Sequence, residues 1–89
     1  MTEYVKEIIE ENRLLLMDGF DDCIEGVVYG KMHELVVVYD REKVIEKLMS
    51  HGMTYEEAEE YHEYNQADAW VGDSTPMFII KSTTPRLKP

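Results

Sequence analysis

CIEGVVYGKMHELVVVY, residues 23–39, is the stretch that decides the fold. Two runs rich in β-branched and aromatic residues, 23–29 and 35–39, flank the five residues Gly30-Lys31-Met32-His33-Glu34. A gap that short suits a hairpin loop. The pattern changes period straight afterwards. Asp40 is placed to cap a helix whose apolar residues Val44, Ile45, Leu48 and Met49 share one face. His51-Gly52 ends that helix, with Gly52 in the left-handed position that favours glycine. A second capping signal follows at once. Thr54-Tyr55-Glu56-Glu57 fits the box in which the Thr and Glu side chains each bond the other's backbone amide. The helix it opens is expected to run to about Ala67.

Working outward, residues 2–13 read as a helix capped by Thr2, with Val5, Ile8, Ile9 and Asn12 on one stripe. Residues 14–17, LLLM, would suit either an extension of that helix or a strand, and periodicity does not separate the two. Asp18-Gly19 is a turn signal. Towards the other end, residues 69–72 form a short apolar segment, Asp73-Ser74-Thr75-Pro76 a turn, and residues 77–81 a final strand. Two prolines with Arg86 and Lys88 make 82–89 a loosely ordered basic tail. The expectation is one α+β domain over 1–81: a small sheet of three or four strands, antiparallel or mixed, with two to three helices on one face.

Charge is the leading bulk property. Nine Lys and Arg against 19 Asp and Glu give a net charge of −10 and a pI near 4.6 over 89 residues. A surface of this sign repels nucleic acid and anionic lipid and attracts basic surfaces. Phosphate binding needs clusters of Lys and Arg, so direct nucleic-acid binding is not expected. The single cysteine, Cys23, allows no intrachain disulfide and no Cys-rich zinc site. The acidic opening MTEYVKEIIEEN has neither the basic start nor the apolar stretch of a signal peptide, and no apolar run is long enough to span a bilayer. These features point to a cytoplasmic protein that does not engage membranes.

The acids fall in two regions. From Thr54 to Asp73 there are seven, Glu56, Glu57, Glu59, Glu60, Glu63, Asp68 and Asp73, with no Lys or Arg among them. Most surface helices interleave signs for i, i+4 support, and the neighbouring stretch at 40–51 does so. The ordinary account is a solvated face with acids placed well at a helix N-terminus. The functional account is an anionic face for a basic partner, with Trp70 an aromatic anchor among acids. Tyr61 and Tyr64 share a helical face beside it, where core packing is the alternative. The partner-binding candidates are therefore Glu56, Glu57, Glu59, Glu60, Glu63, Asp68, Trp70 and Asp73.

Chemistry is harder to find. Asp18, Asp21, Asp22 and Glu25 lack the alternate spacing of a calcium loop. Glu59-x-x-His62 has the spacing of a carboxylate–histidine metal pair, but di-metal bundles need two such pairs and two further carboxylates. His33 and His51 have no evident partner. Cys23 lies among acids, which raises a thiol pKa, and the five glycines are too dispersed for a phosphate loop. No catalytic residue, cofactor or metal is expected.

The segment MTYEEAEEYHEYN at 53–65, continuing through Ala69-Trp70-Val71-Gly72-Asp73 and Thr75-Pro76, resembles a family of small proteins of tailed bacteriophages and prophages. Met17-Asp18-Gly19-Phe20-Asp21-Asp22 and Val38-Tyr39-Asp40-Arg41-Glu42-Lys43 belong to the same pattern, which covers about three-quarters of the chain. That resemblance implies a viral protein acting in the cytoplasm of an infected bacterium, with no activity to carry over. It also implies that Phe is usual where this chain has His62. Small acidic phage proteins often resemble DNA in charge, so the leading expectation is a non-enzymatic interaction protein that inhibits a host nucleic-acid-handling or defence complex. Its partner would be a basic surface on a host protein or nucleoprotein. A small self-associating accessory protein is the alternative, and a metal-dependent hydrolase ranks last.

Overall fold

The computed structural model describes residues 1–67, 69 and 72–84. Among these residues, three helices, α1 (Glu3–Asn12), α2 (Arg41–Ser50) and α3 (Tyr55–His62), join three strands, β1 (Ile24–Tyr29), β2 (Leu35–Asp40) and β3 (Met77–Ile79). The α+β class is as expected. The sheet is mixed, in the order β1-β2-β3, with β1 antiparallel and β3 parallel to the central β2. Parallel neighbours need a long crossover, and α2 and α3 provide it.

β2 shows why a run such as LVVVY carries no polar alternation. Val36 to Asp40 are all buried, as a central strand covered on both faces requires. Val37 and Tyr39 join Ile9 of α1, Val44, Ile45 and Leu48 of α2 and Ala58 of α3 in one cluster. All three helices thus reach a common core on that face of the sheet. β1 is an edge strand and carries a bulge at Glu25, between the pairs Ile24–Tyr39 and Gly26–Val38.

The helix ends follow capping chemistry. Asp40 ends β2 and caps α2 in the same step, accepting from the amides of Glu42 and Lys43. Thr54 and Glu57 form both bonds of the capping box. α1 and α2 end alike: Leu14 N–H bonds to Ile9 O while Arg13 N–H bonds to Glu10 O, and Met53 and Gly52 bond to Leu48 and Met49 in the same pattern. Each needs a residue with positive φ. It is Gly52 after α2, as expected, but Arg13 after α1, at φ 50°.

Three boundaries differ from the sequence reading. Residues 14–17 form neither helix nor strand. The Arg13 turn reverses the chain there, and Met17 N–H donates to Tyr39 Oη at 2.7 Å. The third helix stops at His62 and gives way to a π-helical turn, Glu63–Ala67. The Asn65 side-chain amide donates to Tyr61 O at 3.1 Å, taking the acceptor that its own backbone N–H would use in an α-helix. The last strand ends at Ile79 rather than at residue 81, and Lys81 turns to ion pairs instead. Most of the expected basic tail lies outside the described residues.

Candidate docking face on the third helix

α3 places its acids in two groups with different occupations. Glu57 is committed to the capping box, its Oε1 accepting from Thr54 N–H at 2.9 Å. Glu59 and Glu63 each lie 3.5 Å from Nη2 of Arg41, whose Nη1 also lies 3.3 Å from Glu42. Glu59 further accepts from Tyr55 Oη at 3.4 Å. The stretch that is sign-pure in sequence is therefore not so in space. The link through residues 51–54 is short, so α2 and α3 lie side by side and the start of one meets the end of the other.

Glu56 and Glu60 enter no ion pair among the described residues. They share an open hollow with Glu59, Glu63 and Tyr64. On the other side of Tyr64 lies a second hollow, formed with Met53, Glu57, Glu60, Tyr61 and Asn65. Tyr64 stands between the two, 74% exposed, and Tyr61 is also exposed. Neither tyrosine is core. The arrangement is one aromatic ring flanked by carboxylates, suited to a cation both through its face and through charge.

Of the eight residues singled out from sequence, Glu56, Glu57, Glu59, Glu60 and Glu63 come together here. Asp73 does not. It lines a separate groove with Val28, Tyr29 and Met77. Asp68 and Trp70 lie outside the described residues. Arg41 is the participant that sequence reasoning missed. Its signal was the i, i+4 spacing of Glu59 and Glu63 opposite the first residue of a neighbouring helix.

The N-terminal acids are occupied differently. Asp22 holds Lys47 at 2.8 Å, which keeps its carboxyl below the usual range. Glu25 meets Lys81 at 3.4 Å. Among the described residues, no three His, Cys, Asp or Glu side chains are placed to hold a metal ion. The Glu59–His62 pair diverges: Glu59 faces Arg41, while His62 is buried, with Nδ1 2.8 Å from Gln66 Oε1. Burial holds its imidazole below the usual pKa. Cys23 is buried as well, and burial with the Asp22 charge pushes its thiol up to about 11. A thiol so placed is a poor nucleophile.

One apolar hollow of about 290 Å³ lies beside the turn, lined chiefly by Leu15, Leu16, Met17, Pro76 and Phe78. Among the described residues, no helix is long and apolar enough to cross a membrane. Compared with protein-family models, curated proteins and solved structures, the chain matches none.

Proposed function

We propose that the protein is a non-enzymatic binding module that docks the exposed side of α3 on a basic surface of a host protein or nucleoprotein complex. The observation that carries this reading is the seat of Arg41 between Glu59 and Glu63. Glu56 and Glu60 repeat the same i, i+4 spacing in the same hollow, without a cation from the described residues. A guanidinium or ammonium from a partner fits that pair as Arg41 fits its neighbour, with Tyr64 as the adjoining ring. Basic surfaces of this kind are typical of proteins that handle nucleic acid. With the resemblance to phage proteins, this favours an inhibitor of a host nucleic-acid-handling or defence complex.

The test is capture of bound proteins from bacterial host lysate at low and high salt, comparing the native chain with Glu56→Lys/Glu60→Lys. The expected result is recovery of a nucleic-acid-handling complex that high salt releases and the double variant fails to retain. Equal capture by the variant would sink the reading. A second reading, a self-associating accessory protein, draws on the exposure of Met77, Ile79 and Ile80 at and just beyond β3. It requires a solution mass above one chain that salt does not lower.

A further inference from the structure

His62 is 1% exposed and ends α3 where the π-helical turn begins. Two contacts fix it. Nδ1 meets Gln66 Oε1 at 2.8 Å, tying the helix end to the far side of the turn. Its ring stands at 87° to the ring of Phe78 with centroids 4.5 Å apart, tying it to β3. Phe78 in turn lies 5.8 Å from Tyr39 of β2. The imidazole is thus the piece on which the turn and the third strand both rest. β3 is only three residues long and, among the described residues, pairs with β2 alone, and a short edge element of this kind opens at low free energy.

The charges around the ring are few and come from named places. On its own chain segment Glu63 follows directly. From the start of α2, Arg41 opposes a positive imidazole while Glu42 favours one. Both carboxylates are already engaged with Arg41. From the turn, Gln66 offers a neutral amide, and from β3 the neighbour is the hydrocarbon ring of Phe78. The Gln66 amide oxygen and the two carboxylates favour a charged ring, but they offset only part of the hydration that an imidazolium would lose on burial.

We infer that His62 is an acid-sensitive latch, whose protonation frees the turn Glu63–Ala67 and β3 from the sheet while the β1–β2 hairpin and α2 stay folded. The sign follows from linkage. The closed form holds the imidazole neutral, and the open form lets it take a proton at the ordinary pKa of about 6.5. Above that pH the proton does not distinguish the two forms. Below it, the open fraction grows up to about tenfold for each pH unit, until the closed form titrates as well.

Amide hydrogen exchange on the full chain, corrected for intrinsic rates, tests this between pH 7.5 and 5.0. Protection of the amides in the turn and in β3 is expected to fall about fivefold between pH 6.5 and 5.5, while Val37 and Ile45 keep theirs. His62→Phe retains a ring against Phe78 but has no proton to take, so its protection in β3 is expected to be independent of pH. Gln66→Glu supplies a carboxylate to Nδ1, lets the closed form carry the charge, and is expected to flatten the fall. That variant serves if His62→Phe does not fold. An equal fall in either variant, a parallel fall at Val37 and Ile45, or no fall in the native chain overturns the inference.

Discussion

Lys81 Nζ lies 3.6 Å from Oδ2 of Asp40, a carboxylate that is only 3% exposed. Oδ1 of the same group caps α2. Lys81 also reaches Glu25 of β1 at 3.4 Å. One ammonium therefore joins the segment after β3 to both other strands, at the point where β2 turns into α2. A buried charge is costly unless paired and hydrogen-bonded. Here both oxygens are used, Oδ1 for the cap of α2 and Oδ2 for the ion pair with Lys81.

Substituting Asp40 should separate those two uses. Asp40→Asn keeps an oxygen for the cap and loses the ion pair, at a cost of about 1 kcal/mol. Asp40→Ala also leaves the amides of Glu42 and Lys43 without their acceptor, and should cost about 2–3 kcal/mol. Urea unfolding gives the check: both midpoints fall, the Ala variant's by more. Equal losses would mean that the cap contributes nothing.

The legible parts of this fold are those whose cause is local. The hairpin, the Asp40 cap, the Gly52 ending and the Thr54–Glu57 box all lie within a few residues of the signals that specify them. What escaped the sequence depends on partners far along the chain. Residues 14–17 have no regular structure because the chain reverses at Arg13 and Tyr39, more than twenty residues later, takes the Met17 amide. Likewise the acids of α3 read as unopposed because Arg41 belongs to another helix. The π-helical turn had a local cause in the Asn65 side chain, but Asn at that spacing is equally common in ordinary helices, so it gave no warning.

Tyr39 is fully buried, and its hydroxyl is the acceptor for Met17 N–H. Tyr39→Phe keeps the ring and its contact with Phe78 but leaves the partly buried Met17 N–H without its acceptor. The expected cost is about 1–2 kcal/mol. The loss should appear in urea unfolding, with faster exchange of the Met17 amide in the folded protein. A neutral substitution would show that water reaches that amide.

Among the described residues, two other than glycine hold positive φ, Arg13 at 50° and His33 at 64°. Arg13 closes α1, and His33 lies in the loop between β1 and β2. Neither side chain gains an ion pair there among the described residues. Glycine fits such a backbone without the Cβ clash, and helix endings and three-residue hairpin loops commonly use it. Arg13→Gly and His33→Gly should each raise stability by about 0.5–1 kcal/mol, after the entropy glycine adds to the unfolded chain. Because the sites are on different elements, the double variant should show the sum.

Cys23 gives a prediction of inertness. Its thiol is buried and titrates near 11, so at pH 8 the reactive thiolate is about a thousandth of the total. A disulfide reagent should label the folded protein far more slowly than the unfolded one. The labelling rate should rise in urea together with the loss of structure. Rapid labelling of the folded chain would place the thiol in a region that opens readily.

Glu60→Lys separates folding from binding most directly. In α3 it gives Glu56 a basic partner at i, i+4 with the acid nearer the N-terminus, the favourable orientation, worth about 0.3–0.5 kcal/mol. It also removes one negative charge from a chain at −10 and adds a positive one, which relieves self-repulsion. Stability should therefore be unchanged or slightly higher, and the gain should shrink in salt. Yet the new ammonium occupies Glu56 and repels a basic partner, so docking through this hollow should weaken at least tenfold. Thermal unfolding at two salt concentrations measures the first effect, and titration with an arginine-rich peptide the second. A variant that is destabilised would mean that Glu60 makes a contact the fold requires. One that is stable and still binds the peptide at native strength would take the docking face away from α3.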